Sequence, residues 1–196
     1  MAELSLQIDM ITQVAKALGD LLDDVVFVGG CVTGLLVDDA FTLEQIRFTD
    51  DVDLIVNIIT RSDWNQLQSK LRNRGFKENI EDTVICRMRL AGLKVDIMPI
   101  KKEILGFTNQ WYQDALKHPM PYKLADISVN IISPVYFIAT KLAAFEGRGN
   151  KDLLSSHDIE DVVTLFDGRE QVVNEIKKAE KKVQQYICSK LNSLLQ

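Results

Sequence analysis

The chain has 196 residues, a hydrophobic fraction of 46%, a charged fraction of 26% and a formal net charge of −5 at pH 7. These values are ordinary for a globular protein, and the negative charge gives no general attraction to nucleic acid. No apolar run approaches the roughly 20 residues that span a bilayer, and the N-terminus lacks the pattern of a secretory signal. Three widely separated cysteines argue against a disulfide framework or a zinc knuckle, so we expect a cytoplasmic protein.

The first half of the chain alternates between helical and strand-like segments. Helices are predicted at Leu4–Leu18, at about Val32–Val37 and at Arg61–Arg74, which Gly75 closes. Strands are predicted at segments rich in apolar or β-branched residues: Val25–Val28, Asp51–Ile58, Val84–Leu90 and Leu93–Met98. The pair Ala91-Gly92 between the last two strands indicates a hairpin, and Asp38–Phe48 is predicted to be a polar loop.

Helices dominate the second half. Trp111–Leu116 is a predicted short helix, Ile127–Ile132 a predicted strand, and Ser133-Pro134 begins a helix that runs to about Glu146. A glycine-containing loop at 147–151 leads to a helix at about Ser156–Phe166, and Arg169–Leu195 has the apolar spacing of one long amphipathic helix. Because strands come early and helices late, the sequence predicts an α+β fold, with a core at residues 1–132 and a helical C-terminal portion at 133–196 packed on it.

Two aspartates are spaced for one face of the strand predicted at Asp51–Ile58. Side chains at positions i and i+2 of a strand lie on the same face, so Asp51 and Asp53 point the same way. Two close carboxylates repel each other, and a divalent cation such as magnesium, which prefers oxygen ligands, relieves that repulsion. The same pattern also fits a solvated strand start, in which the acids cap the preceding loop.

A glycine pair follows the first predicted strand. Gly29 and Gly30 stand between Val25–Val28 and a helix, where backbone N–H groups can approach a phosphate closely. A glycine pair after a strand is also typical of an ordinary tight turn.

A third acid, Asp96, lies within an otherwise apolar strand. If this strand lies beside the strand of Asp51 and Asp53, Asp96 can supply a third metal ligand. Two metal ions held in this way can clamp the attacking and leaving oxygens of a phosphoryl displacement. The alternative for Asp96 is a salt bridge to Arg87 or Arg89 across the hairpin.

Lys141 is the only charged residue between Pro134 and Phe145. A helix that is apolar all round is buried, and a lone lysine in it needs a partner or a polyanion. Two interpretations are open. Either Lys141 contacts nucleotide phosphates, or its ammonium group reaches the surface along the apolar helix.

The helix predicted at about Ser156–Phe166 begins with acids. Asp158 borders the apolar stripe of this helix, and Asp161 lies further round beside it. Acids in a first helical turn also suit the helix dipole, and Ser155 with Asp158 resembles a capping box. His157 is interpreted as a loop or cap residue without a catalytic role.

Taken together, these features resemble the nucleotidyltransferase AbiEii/AbiGii toxin family, within the DNA polymerase β-like nucleotidyltransferase superfamily. The order is Gly-Gly, Asp-x-Asp on a strand, a lone strand aspartate, a lysine helix and an aspartate-rich helix. The match is closest to the short, single-domain members. The segments that carry it lie between about 25 and 169: Val26–Thr33, Thr49–Val56, Ile85–Leu90, Leu93–Pro99, Leu105–Tyr112 and Phe137–Arg169.

The resemblance implies the polymerase β-like nucleotidyltransferase fold, a small mixed sheet flanked by helices with a helical C-terminal portion. It implies that Asp51, Asp53 and Asp96 bind Mg²⁺, or Mn²⁺ in its place, and that Asp96 is also the base for the attacking group. With an NTP as substrate, the residues that it implies for the nucleotide are Gly29, Gly30, Thr33, Lys141, Arg148, Asp158 and Asp161.

Members of the family are toxins of abortive-infection or type IV toxin–antitoxin systems. The resemblance therefore implies transfer of a nucleoside monophosphate to RNA, such as tRNA, or to protein, with a cognate antitoxin as partner. Two alternatives are an antitoxin-like nucleotidyltransferase that modifies a partner toxin and an inactive nucleotide-binding module. Relatives of the tRNA-extending type have Arg-Asp where this chain has Thr33-Gly34, so the sequence gives no support for general tRNA end maintenance.

Overall fold

The structure is a computed structural model that describes residues 2–148 and 152–195. Within these residues a seven-stranded sheet carries the fold. Its strands are β1 (Val25–Val28), β2 (Asp51–Val56), β3 (Phe76–Lys77), β4 (Arg87–Leu90), β5 (Leu93–Pro99), β6 (Pro119–Leu124) and β7 (Ile127–Ile132). The strand order is β3-β4-β5-β2-β1-β7-β6. The sheet is mixed, because β2 pairs in parallel with β5 and β1 in parallel with β7, whereas the remaining pairs are antiparallel. The α+β class predicted from the sequence is confirmed.

Ten α-helices accompany the sheet within the described residues. They are α1 (Ala2–Leu18), α2 (Thr33–Leu36), α3 (Ala40–Glu44), α4 (Arg61–Asn73), α5 (Lys102–Leu105), α6 (Tyr112–Lys117), α7 (Pro134–Gly147), α8 (His157–Gly168), α9 (Val172–Lys178) and α10 (Lys181–Leu194). None of the helices in the described part of the chain is long and apolar enough to cross a membrane.

Helix α7 is the most buried helix of the molecule's second half. Apolar residues on all its sides, among them Phe137, Ile138 and Leu142, are almost inaccessible to solvent. It contacts α8, α9 and α10, so the helices that follow it in the chain surround it. A helix without a polar face is stable only in such an enclosed position, which is what its sequence predicts.

The middle of the sheet positions the acids. β5 lies beside β2, and the register places Asp96 opposite Asp53. On the other edge of β5, the hairpin partner β4 places Arg87 opposite Asp96. On the other edge of β2, Val28 at the end of β1 is opposite Asp53, so the chain enters the Gly29-Gly30 turn directly beside that carboxylate.

The segment Asp38–Phe48, predicted to be a loop, contains the short helix α3. Asp39 caps this helix by accepting a hydrogen bond from the backbone N–H of Thr42 at 2.8 Å. The backbone N–H groups of Asp38 and Asp39 both donate to the carbonyl of Gly168, at 2.8 and 3.0 Å. The prediction was wrong here because a helix of one turn depends on this distant anchor rather than on its own periodicity.

Two further differences concern β6 and the tail. β6 was not predicted because Pro119 and Pro121 disfavour strands, but it is an edge strand, where proline is tolerated. The tail, predicted as one helix, is broken into α9 and α10 at Ala179, whose backbone is extended. The loop predicted at 147–151 lies partly outside the described residues, and the division at residue 132 stays a prediction.

Candidate active site

Three carboxylates converge where β2 and β5 lie side by side. An oxygen from each of Asp51, Asp53 and Asp96 lies within 4.8 Å of the others. Asp51 and Asp53 share a face of β2 because they are two positions apart along the strand, and the parallel register brings Asp96 alongside Asp53. Asp96 is only 8% exposed, whereas the two acids of β2 are partly exposed. The sequence predicted this cluster on the condition that the two strands are neighbours, and that condition is met.

Gly29 leaves room for one of these acids. Its φ is +74°, and a Cβ at this position would lie 1.8 Å from Oδ2 of Asp53. Any larger residue would therefore collide with the carboxylate and also adopt an unfavourable backbone conformation. At Gly30 a Cβ would lie 3.0 Å from Nη2 of Arg47. Both glycines line the cleft in front of the acids, and their contact with phosphate stays a prediction.

Arg87 forms an ion pair with Asp96 across the hairpin. Its Nε donates to Oδ1 of Asp96 at 2.7 Å and its Nη2 donates to Oδ2 at 2.8 Å. The same Nη2 lies 3.3 Å from Oδ2 of Asp51. The salt bridge is therefore confirmed with Arg87 as the partner, while the role of Asp96 as a metal ligand within the cluster of three acids stays a prediction. These bonds and the nearby acids raise the pKa of Arg87.

The remaining acids of the cluster differ in their surroundings. The hydroxyl of Thr49 donates a hydrogen bond of 2.5 Å to Oδ1 of Asp51. Burial, and then the charges of Asp51 and Asp96, raise the pKa of Asp53 to about 7. The ionised form of Asp53 is thus disfavoured, although the charges of Lys141 and Arg87 offset part of this effect. Such a shift is the expected behaviour of carboxylates that share a site.

Lys141 is buried and does not reach the surface. It is 9% exposed, and its Nζ lies 2.6 Å from Oδ2 of Asp161 and 3.4 Å from Oδ1 of Asp158. Burial alone would lower the pKa of Lys141, but the carboxylates of Asp161 and Asp158 raise it above its usual value. The interpretation that the ammonium group reaches the surface along the apolar helix is wrong. The acids of α8 provide the partner that a buried lysine requires.

The acids of α8 are part of the buried interior and not a solvated first turn. Asp158 and Asp161 are 2% and 3% exposed. The cap of α8 is Ser156, whose side chain accepts from the backbone N–H of Ile159, so the capping box predicted with Ser155 is wrong. Arg148 approaches Asp158 with its Nε 3.3 Å from Oδ2. His157 lines the cleft, with its Nδ1 3.1 Å from Glu160.

Sequence reasoning missed Arg47, which lies between α3 and β2. Its Nη2 is 3.4 Å from Oδ2 of Asp161, and its side chain lines the cleft beside Gly30. Nothing in the local pattern of a polar connection distinguishes this arginine from a solvated one. Its position depends on the approach of α3 to the end of α8.

The acids and cations surround a single cleft of about 430 Å³. Its lining also contains Cys86, Asn109 and Tyr112, to which sequence reasoning assigned no role, although Cys86 lies in the segment Ile85–Leu90 and the other two in Leu105–Tyr112. The Tyr112 hydroxyl donates to Sδ of Met98 at 3.1 Å, and burial followed by the charge of Asp53 raises its pKa. Burial, and then Asp96, raise the pKa of Cys86 to about 12, so its thiol is protonated at neutral pH.

Nine of the ten predicted site residues line this cleft or lie directly behind it. It is lined by Gly29, Gly30, Asp51, Asp53, Asp96, Lys141, Arg148 and Asp158, while Asp161 lies behind it as the partner of Lys141. Thr33 is different, because it is 2% exposed at the start of α2 and does not line the cleft.

No protein-family profile matches this sequence, and no curated protein is similar to it in sequence. Solved structures do match. An antigenic nucleotidyltransferase-like protein from Paracoccidioides brasiliensis has a TM-score of 0.56 at 18% identity, over 96% of this chain and 89% of that chain. The antibiotic-resistance factor ANT(2'')-Ia has a TM-score of 0.55 at 15% identity, over 94% of this chain and 91% of that chain. At this level of identity the likeness concerns the fold, and membership of the AbiEii/AbiGii family stays a prediction. The chain has the fold of nucleotidyltransferases.

Proposed function

We propose that this protein is a nucleotidyltransferase that depends on a divalent metal ion and transfers a nucleoside monophosphate from an NTP. The observation that carries the proposal is the convergence of Asp51, Asp53 and Asp96 within 4.8 Å, in a cleft that also contains cationic side chains. The fold of the chain supports the same reaction class, since one of the two solved structures described above is a nucleotidyltransferase-like protein.

The donor set fits magnesium or manganese. All three candidate ligands are carboxylates, the hard oxygen donors that these ions prefer, and Asp51 and Asp53 are partly exposed on the side of the cleft. Burial, and then the charges of Asp51 and Asp96, raise the pKa of Asp53 to about 7, so a bound cation would favour the ionised form that can act as a ligand. When bound there, a divalent ion supplies positive charge to phosphate oxygens during the displacement.

The chain's own residues provide the remaining parts of the proposed reaction. Gly29 leaves room for the Asp53 carboxylate, so this acid can take its place among the three acids that face the cleft. Lys141, Arg148 and Arg47 line the cleft and present positive charge to a triphosphate. Asp96 is the proposed base for the attacking group, and Arg87 holds both of its oxygens in a defined orientation.

For the acceptor, the resemblance to the AbiEii/AbiGii toxins favours RNA, such as tRNA, or a protein. The protein would then be the toxin-like component of an abortive-infection or type IV toxin–antitoxin system, with a cognate antitoxin as partner. The alternative of an antitoxin-like enzyme that modifies a partner toxin uses the same site. A wholly inactive nucleotide-binding module is disfavoured, because the three acids are present and close together.

The test is a transfer assay with each α-labelled NTP, Mg²⁺ or Mn²⁺, and total RNA or cell lysate. The variants are Asp51→Asn and Asp53→Asn, which remove a ligand charge without changing side-chain size. The matched control is Asp50→Asn, because Asp50 adjoins Asp51 in the chain but its side chain is exposed and pairs with Lys94.

We expect labelled RNA or protein with the wild type and with Asp50→Asn, at least about 100-fold less with the two site variants, and none after chelation of the metal. Labelling of RNA, protein or a small molecule would each identify the acceptor class. If no component is labelled, or if the label survives in the Asp51→Asn and Asp53→Asn variants, the proposed function is wrong.

A further inference from the structure

Arg87 reaches two of the three carboxylates of the site. It binds both oxygens of Asp96, at 2.7 and 2.8 Å, and lies 3.3 Å from an oxygen of Asp51. This is the fork geometry in which a guanidinium pairs with a carboxylate most strongly. The arginine therefore occupies, from the side of β4, oxygens of the same cluster that is suited to a metal ion.

The pair is poorly screened by water. The side chains of Arg87 and Asp96 are 15% and 11% exposed, and that of Asp51 is 27% exposed. Charges in such surroundings interact more strongly than surface charges, whether they attract or repel. The positive charge of Arg87 consequently offsets much of the mutual repulsion of the acids.

A guanidinium and a divalent ion on the same oxygens repel each other. A carboxylate has about four lone-pair sites, so the number of sites would allow Asp96 to bind both the guanidinium and a metal ion. A metal ion in contact with Asp96 would, however, share that carboxylate with the guanidinium, and like charges in such close proximity repel strongly at low exposure. Magnesium also demands nearly ideal octahedral geometry, which leaves little freedom to avoid the arginine.

We propose that Arg87 is the resident counter-ion of the carboxylate cluster and competes with a divalent metal ion for Asp96 and Asp51. In the absence of metal, Arg87 stabilises the three acids. When the metal binds, the bonds from Arg87 to these acids are weakened or exchanged. This competition rests on the proposed function, because it requires that the acids bind a divalent ion.

Two opposite effects follow from removal of Arg87. The metal-free protein should become less stable, because three close acids lose their counter-ion. Affinity for the metal alone should increase, because a competitor is gone. A residue that only holds Asp96 in position would give a different pattern, in which its removal lowers stability and weakens metal binding together.

The experiment measures Mn²⁺ binding without nucleotide, by electron paramagnetic resonance and calorimetry. The variants are Arg87→Gln and Arg87→Lys. Arg89→Gln is the matched control, because Arg89 lies on the same strand and binds Asp82 through the same fork, at 2.8 and 2.6 Å. Asp82 is outside the metal-suited cluster.

We expect Arg87→Gln to bind Mn²⁺ at least about tenfold more tightly than the wild type, with Arg87→Lys between them and Arg89→Gln unchanged. Thermal unfolding should show that Arg87→Gln is less stable than the wild type without metal and regains stability when Mn²⁺ is added. Unchanged or weaker Mn²⁺ affinity in folded Arg87→Gln overturns the competition.

Failure of the proposed function gives a different result from failure of the competition. If the wild type binds no Mn²⁺, or if Asp53→Asn binds it equally well, the proposed function fails before Arg87 is tested. If Arg87→Gln does not fold, the Nε–H signal of Arg87 in wild-type protein is followed by nuclear magnetic resonance during addition of Mg²⁺. That signal should shift and exchange faster with water, and an unaffected signal rules out the competition.

Discussion

Gly29 shows how one missing side chain shapes the candidate site. Its positive φ alone explains why glycine is favoured there, but the contact with Asp53 is a second and separate requirement. The two requirements can be separated experimentally, because Gly92 in the hairpin has a similar φ of +92° and no heavy atom within 4 Å of the place that a Cβ would take.

We predict that Gly29→Ala lowers metal-ion affinity and transfer activity at least about tenfold, because the new methyl group displaces the Asp53 carboxylate. Gly92→Ala should cost only the backbone strain, about 1 kcal/mol of unfolding free energy, and leave metal binding unchanged. Urea unfolding and Mn²⁺ titration of both variants provide the measurements. Equal metal affinity in the two variants would contradict the role assigned to the Gly29–Asp53 contact.

At the scale of elements, the pairing of α7 with α8 combines packing and charge. The two helices are in contact, and Lys141 of α7 inserts its ammonium group between Asp158 and Asp161 of α8. Removing one partner of a buried pair leaves an uncompensated charge, which is more damaging than the loss of a surface pair. The same α7 helix has a surface pair, formed by its Glu146 with Lys190 of α10.

We predict that Lys141→Met lowers the unfolding free energy by about 3–5 kcal/mol, because the two buried acids then lose their shared buried cation and keep only the more exposed Arg148 and Arg47. Lys190→Met, which breaks a partly exposed pair on the same helix, should lower it by less than about 1 kcal/mol. Chemical denaturation measures both. Addition of Asp161→Asn to the Lys141→Met variant should recover part of the loss. Similar losses for the two single variants would mean that the buried pair does not hold α7 and α8 together.

For the whole molecule, the break at Ala179 determines how the C-terminal tail packs against the other helices. A single straight helix over Arg169–Leu195 would extend away from α7. Because the tail is broken into α9 and α10, both helices contact α7. Val172 and Ile176 of α9 and Val183 and Ile187 of α10 are thereby buried. These four residues are buried within the one chain, so both helices of the tail pack on the rest of the molecule.

We predict that Val183→Ala lowers the unfolding free energy by about 2 kcal/mol, because it leaves a cavity in the contact of α10 with the domain. Val173→Ala makes the same chemical change at a residue that is 49% exposed and should have an effect below about 0.5 kcal/mol. Both are measured by urea unfolding. A larger loss for Val173→Ala would indicate that the exposed face of α9, and not the buried face of α10, carries an interface.

Features that depend on local periodicity could be predicted from the sequence alone. The spacing of Asp51 and Asp53 placed them on one face of a strand, the apolar surround of Lys141 indicated a buried helix, and Ala91-Gly92 indicated the hairpin. These predictions succeed because strand and helix periods relate neighbouring residues through the backbone alone. The order of the chemical groups along the chain was also sufficient to indicate the nucleotidyltransferase fold.

The tertiary structure was needed to identify which groups meet across long separations in the chain. It placed β5 beside β2, chose Arg87 and not Arg89 as the partner of Asp96, and brought Arg47 to the acids of α8. It also created the short helix α3 and the break in the tail, which the local pattern does not specify. The physical reason is that strand order and buried ion pairs depend on how all the elements pack together, and no local period encodes that arrangement.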